Sequence, residues 1–223
     1  VIHGGGKQLT ELAQKLGVVQ TVIGGRRVTD DDTLDLAKMI FRGKINTEIL
    51  AQFRRRGVSA VGLSGVDGGV VKAVKRPPKD VVNKQTGETE TVDFGHVGDV
   101  VENDASLINT LLDSGYLPVI SSLGADDDGK IFNINADTIA SEIAASLHAE
   151  KLILLTDVNG IYLNEGNENT KLSQITIDDA RHMIEAGRAT GGMIPKLESL
   201  IALLSRGVRS AHIISGTTRN ALL

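Results

Sequence analysis

The sequence predicts an α/β fold: a mainly parallel central sheet with helices on both faces and one β-hairpin excursion. Short apolar runs alternate with amphipathic stretches along most of the 223 residues. The strand-like runs are each soon followed by glycine, where a chain can turn sharply. Strand, helix, strand in succession implies parallel pairing, because a parallel neighbour is reached only through a crossover.

The chain opens on Val1-Ile2-His3-Gly4-Gly5-Gly6, which reads as the end of a buried strand running into a glycine turn. A strand at residue 1 leads to the expectation that the natural polypeptide starts further upstream; Ala221-Leu222-Leu223 ends as abruptly. A helical pattern follows from Lys7 to Leu16. Thr29-Asp30-Asp31-Asp32 marks a helix start, with the Thr29 hydroxyl as the expected cap and acids in the first turn to suit the helix dipole. Ser59 to Leu63 is the next strand. Residues 70–97 differ: they are polar, hold Pro77-Pro78 and a Gly87 turn, and alternate in β fashion from Thr89 to Phe94. This is the hairpin excursion, a candidate flap over a ligand.

Ala105 to Ser114 places Ile108, Leu111 and Leu112 on one helical face. Leu117 to Ser121 reads as a strand, and Asn135 to His148 as a helix with Ile139, Ile143 and Leu147 spaced four apart. Lys151 to Val158 is the most hydrophobic strand. Lys196 to Arg206 repeats the helical pattern through Leu197, Ile201 and Leu204, and Ser210 to Ser215 closes as a strand. The length suits one large domain or two small lobes.

Composition removes several function classes. Hydrophobic residues at 41% and charged ones at 23% describe an ordinary globular protein with a self-sufficient core. Cysteine is absent, which excludes disulfides, thiolate catalysis and thiolate metal sites and makes a cytoplasmic home the simplest reading. The net charge is −4 and no basic run exceeds Arg54-Arg55-Arg56, against the clustered positive charge that duplex binding needs. Tryptophan is missing and aromatics are 3%, so a base-stacking platform is not expected. Apolar runs such as Leu152 to Leu155 are far too short to cross a bilayer. The histidines, at 3, 96, 148, 182 and 212, lack the paired spacing of zinc sites, and no Gly-x-Ser-x-Gly elbow occurs.

Five places could do chemistry. After its strand, His3-Gly4-Gly5-Gly6 lets a ligand approach the backbone, and the following helix offers free N–H donors to an anion; a tight turn with no ligand is the alternative. In Gly24-Gly25-Arg26-Arg27-Val28-Thr29, one guanidinium could grip a carboxylate through its two-pronged edge; for Arg26 a solvated side chain is the simpler reading. Asn133-Ile134-Asn135-Ala136-Asp137 lies at a strand-to-helix junction, where its polar groups either cap the helix or face a ligand at the carboxyl end of an expected parallel strand. Thr156-Asp157-Val158-Asn159-Gly160 ends a strand with an Asp that could accept from a nucleotide sugar or cap a turn. Gly191-Gly192-Met193-Ile194-Pro195-Lys196 puts a lysine near a helix N-terminus, a position the dipole disfavours unless a phosphate is there; a solvated lysine is the alternative.

In this order and spacing, the blocks Val1 to Gly6, Gly25 to Leu34, Gly115 to Ser122, Asn133 to Asp137 with Leu152 to Gly160, and Gly191 to Lys196 resemble the N-acetylglutamate kinases of the amino-acid kinase family. The resemblance covers essentially the whole chain. It implies a three-layer open αβα sandwich, with residues 1–149 as an amino-terminal lobe for the amino acid, 150–223 as a carboxyl-terminal lobe for ATP, and a hinge near Ala149. It implies ATP-dependent phosphorylation of the γ-carboxylate of N-acetyl-L-glutamate, a step of arginine biosynthesis. A sister kinase acting on carrier-protein-bound aminoadipate or glutamate, and a non-catalytic metabolite sensor, are the alternatives.

Position by position, the resemblance implies that Gly5 and Gly6 cradle substrate and transferring phosphate, Arg27 grips the substrate's α-carboxylate, and Asn133 holds its amino-acid end. Asp137 is expected to organise two catalytic lysines, and Lys196 to draw charge off the phosphates. Asp157, Asn159, Gly160, Tyr162, Arg188 and Thr190 are expected along the nucleotide pocket. Mg²⁺ is expected to ride mainly on the phosphates, with no protein metal ligand. The family's other lysine stands in a Lys-x-Gly-Gly strand that would precede Val1, and its terminal strand would follow Leu223. A homodimer or hexamer is implied; arginine feedback and regulatory-protein binding stay open.

Overall fold

The computed structural model describes residues 1–24, 26–82, 89–156, 161–162, 170–172, 174–188 and 193–221. The chain forms two compact units, Val1–Ile139 and Ala140–Leu223.

Parallel strands organise the first unit. Leu117–Ser121 lies between Ile2–His3 and Ala60–Ser64, parallel to both. The register brings His3, Ser121 and Ser64 into one row, so the three strands end together. Their turns, Gly4–Gly6, Ser122 and Gly65, therefore emerge side by side at the carboxyl edge, the edge where open α/β sheets take their ligands. A second sheet runs Ile131–Asn133, Leu123–Ala125, Val71–Lys75, Gly98–Asn103. Only its middle pairing is parallel. Ile131–Asn133 is thus an antiparallel strand beside Leu123–Ala125, not the parallel strand expected from the sequence; only a single bridge, Asn133 to Val97, runs parallel. The chain reverses over the Asp126–Lys130 turn rather than crossing over, and that short connection dictates the antiparallel sense.

The hairpin excursion is present as Lys79–Val82 paired antiparallel with Thr89–Val92, outside both sheets. The Gly87 turn lies outside the described residues.

Helices cover the sheets because their apolar spacing requires it. Gly6–Leu16 buries Leu9 and Ala13, four apart, and ends on Gly17 at φ 72, a left-handed cap that frees glycine of strain. These side chains meet Leu36, Ala37, Ile40, Phe41 and Leu123 in one cluster. The second helix begins one residue later than expected. Asp30, not Thr29, caps it, its Oδ1 accepting from Thr33 N at 2.8 Å. Thr29 is fully buried instead, drawn inward by a bridge to Gly95. From Asp31 the helix runs unbroken to Arg55, passing through a π-helical stretch at Lys38–Ile45. Such widened turns often mark functional places. Ser106–Asp113 packs against the Leu117–Ser121 strand.

In the second unit Lys151–Thr156 and Ser210–Ser215 pair in parallel, register Lys151 to Ser210. Between them in sequence come Ile177–Glu185, which opens on a capping box of Thr176 and Asp179, and Met193–Ser205. Ala180 and Leu197 bury against each other with Ile175, Ile184 and Ile201 around them. The helix Ala136–Ser146 begins in the first unit and ends in the second.

Candidate functional site

The carboxyl edge of the first sheet gathers three sequence blocks. Gly4, Gly5 and Gly6 follow His3 directly, and Leu9 N donates to Gly5 O at 2.8 Å, so the helix starts on the glycine turn itself. Among the described residues, no hydrogen bond uses the N–H of Gly5 or Gly6. Two adjacent donors at a helix N-terminus make a site for an anion.

Packing decides which of the glycines must be glycine. A Cβ on Gly5 would overlap Ile45 Cδ1 and lie 2.8 Å from Phe41 Cδ1, whereas one on Gly6 meets nothing within 4 Å. Gly5 is closed in from the π-helical side, and Gly6 is open. We expect Gly5→Ala to cost about 1–3 kcal/mol by overpacking, read as a lowered Tm. Gly6→Ala should leave Tm unchanged and weaken the anionic substrate. Equal melting of the two variants would contradict this packing.

Arg27 reaches the same turn. It is held opposite Val22 in the short hairpin Val22–Ile23/Arg26–Arg27. One nitrogen, Nη2, donates to Gly6 O at 3.0 Å and Thr10 Oγ1 at 2.6 Å. Its Nε is buried and has no partner among the described residues. Among the described residues no carboxylate pairs with Arg27, and burial pulls its guanidinium below its usual pKa without neutralising it. A half-buried cation with an orphaned donor calls for an anion. Arg26, by contrast, is exposed.

Asn133 is bonded to Thr29, which follows Arg27 by two residues. Its Nδ2 donates to Thr29 Oγ1 at 3.1 Å, and its backbone N to His96 O at 2.8 Å. Thr29 N donates to Phe94 O and His96 N to Thr29 O, at 3.0 and 2.7 Å. Gly95 sits at φ 69 between them, where a Cβ would overlap Thr29 O. Thr29 and Asn133 are therefore bonded to each other although 104 positions apart. Next to them His96 Nε2 lies 2.6 Å from Asp31 Oδ1, with Nδ1 buried and unpartnered.

At the junction after Asn133 the capping alternative holds for Asn135, whose Oδ1 accepts from Asp137 N at 2.7 Å and Thr138 N at 3.2 Å. Asp137 stands exposed in the first helical turn, and its carboxylate has no partner among the described residues.

In the second unit Arg188 lines a cavity of about 440 Å³ with Leu172, Gln174, Ile175, His182 and Met183. Asp157, Asn159, Gly160 and Thr190 lie outside the described residues, as do the side chains of Tyr162 and Lys196; their backbones belong to the Ile161–Tyr162 strand and the first turn of the Met193–Ser205 helix. Among the described residues no group of three or more His, Cys, Asp or Glu could hold a metal ion. No helix among the described residues is long and apolar enough to cross a membrane.

Sequence reasoning passed over Thr10, Thr29 as an anchor rather than a cap, the His96–Asp31 pair, and Asn46. Asn46 had a signal, a polar residue where the helix turns its apolar face inward. Thr10 had none.

Residues 1–215 match the model of the amino acid kinase family. The acetylglutamate kinase of Carboxydothermus hydrogenoformans is 45% identical over 223 residues, 100% of this chain and 75% of that protein. That of Methanocaldococcus jannaschii is 44% identical over 223 residues, 100% of this chain and 74% of the relative. The crystal structure of N-acetylglutamate synthase from Neisseria gonorrhoeae, complexed with coenzyme A and N-acetyl-glutamate, superposes with a TM-score of 0.76 at 26% identity, over 99% of this chain and 47% of that one.

Proposed function

The chain belongs to the amino acid kinase family, and on that premise we propose that it phosphorylates the γ-carboxylate of N-acetyl-L-glutamate with ATP, giving N-acetylglutamyl 5-phosphate for arginine biosynthesis. The observation that carries this reading is the convergence at one strand edge of two unused glycine N–H groups and a half-buried arginine whose Nε lacks a partner. Such a site suits a small dianion.

The nucleophile needs no general base. A side-chain carboxylate has a pKa of about 4.3 and is ionised near neutrality. One of its oxygens attacks the γ-phosphorus, the bond to the β,γ-bridging oxygen breaks, and ADP leaves with the electron pair. The obstacle is repulsion: two unit charges about 4 Å apart at an effective dielectric near 20 repel by roughly 4 kcal/mol. Positive and N–H groups around the reaction centre offset it. In this reading Gly5 and Gly6 donate to the substrate and the transferring phosphoryl group, Arg27 holds the α-carboxylate, and Asn133 its amino-acid end. Lys196 draws charge off the phosphates, and Asp137 sets the lysines in place. Arg188 borders the nucleotide, with Asp157, Asn159, Gly160, Tyr162 and Thr190. Mg²⁺ arrives on the ATP phosphates and neutralises part of their charge. The amino-terminal lobe serves the amino acid and the carboxyl-terminal lobe ATP. A homodimer or hexamer in the cytoplasm, with arginine or a regulatory protein as effector, belongs to the same proposal.

A coupled ADP assay with hydroxylamine trapping of the acyl phosphate tests it. N-acetylglutamate should support turnover, while aspartate and carbamate should not. Turnover only with a carrier-bound aminoadipate or glutamate would move the assignment to the sister activity, and ADP release without hydroxamate would overturn phosphoryl transfer to a carboxylate.

A further inference from the structure

We propose that His3 is a positioning residue: locked in one tautomer by Asn46, its ring sets the Gly4–Gly5 peptide so that the Gly5 N–H faces the anionic ligand. The inference rests on reading Gly5 and Gly6 as an anion cradle.

Asn46 is fully buried beneath the three parallel strands. Its Nδ2 lies 3.0 Å from His3 Nε2, 2.9 Å from Val119 O and 3.5 Å from Leu63 O, one group on each strand. Its Oδ1 accepts from Arg42 Nη1 at 3.4 Å. The opposite amide orientation would set oxygen against two carbonyls and N–H against a guanidinium, so the network leaves one choice. A donor therefore faces Nε2, which must accept. In a neutral ring the proton then sits on Nδ1, and Nδ1 donates to Gly4 O at 3.0 Å. Burial is the main cause that lowers the His3 pKa, with the Gly4 carbonyl opposing it in part, so the ring is held neutral. The Val1 ammonium lowers the His3 pKa further, and Arg42, on the other side of Asn46, is itself paired with Asp67 at 3.6 Å.

The consequence is directional. In a trans peptide the carbonyl and the following N–H point opposite ways. With the Gly4 oxygen drawn toward His3, the Gly5 N–H points away from the ring, where no protein acceptor takes it among the described residues. Glycines rotate freely unless something stops them. Here Leu9 N holds the Gly5 oxygen on one side, and His3 holds the Gly4 oxygen on the other.

Two substitutions, made in the whole natural polypeptide, separate the ring's two bonds. Asparagine can place a nitrogen where Nδ1 stood, keeping the donor to Gly4 and losing the Asn46 contact. Glutamine can place an oxygen where Nε2 stood, keeping the Asn46 contact and losing the bond to Gly4. His3→Gln should raise the KM for N-acetylglutamate about tenfold, the scale of one hydrogen bond, while His3→Asn stays within about twofold of the parent. Thermal melting should run in the reverse order, because His3→Asn strands the buried Asn46 donor. A KM order that follows the melting order, or equal KM values, would overturn the proposal. Ligand-free crystal structures of both variants add an independent reading: the Gly4 carbonyl should rotate in His3→Gln and stay in His3→Asn. If the parent shows no binding of N-acetylglutamate, the cradle reading fails by itself, and those structures still decide whether His3 sets the peptide.

Discussion

Replacing Lys196 by alanine is expected to lower kcat by about 10²–10³-fold, the loss that follows removal of one group aimed at transition-state charge. The residue lies in the first turn of the Met193–Ser205 helix. There the free N–H groups already make the end positive, and a lysine pays an electrostatic penalty unless an anion is close. In the proposed reaction the transferring phosphate is that anion. On that proposal the charge Lys196 offsets grows on the leaving oxygen as the phosphoryl group departs, so kcat should fall further than KM rises. Circular dichroism and Tm should match the parent. Normal turnover at saturating ATP and N-acetylglutamate would remove Lys196 from the mechanism.

Arg27→Ala should act on the other constant. The guanidinium is half-buried, spends Nη2 on Gly6 O and Thr10, and keeps Nε unpaired. A charged hydrogen bond to a carboxylate is worth about 1.5–3 kcal/mol, so KM for N-acetylglutamate should rise about 10- to 150-fold, at a factor of ten for each 1.4 kcal/mol. In the proposed reaction the phosphoryl transfer takes place at the far carboxylate, and kcat should change less than KM. Arg27→Lys restores the charge without the two-pronged edge and should fall between. Steady-state KM in the three proteins measures this. An unchanged KM in Arg27→Ala would place the α-carboxylate elsewhere, with Arg26 the next residue to replace.

Much of the site was legible because glycine and arginine advertise themselves. A triple glycine after a strand is a statement about backbone space, and the structure puts the constraint at Gly5, against Ile45 and Phe41. Arg27 against Arg26 was also readable, since alternation along a two-residue strand sends neighbours to opposite faces, one inward and one exposed. The Thr29 cap misled because Asp30 follows it: either side chain can satisfy the first helical N–H groups, and the choice was made by the Gly95 segment pulling Thr29 into the interior. The sense of the Ile131–Asn133 strand was misjudged for a similar reason. Its apolar pattern is blind to direction, and the tight Asp126–Lys130 turn, fixed by Asp126 accepting from Lys130 N at 2.8 Å, sets it antiparallel.

By itself the sequence determined the α/β class, the places of its main helices and parallel strands, and the residue types at the carboxyl edge of the first sheet, because periodicity, glycine and charge act through local chemistry. Tertiary structure alone decided that His3, Asn46 and Val119 share hydrogen bonds, that Arg27 bonds Gly6 and Thr10, and that Asn133 bonds Thr29. Those contacts join residues up to 104 positions apart. Strand register and helix packing bring them together, and a pattern read along the chain contains neither.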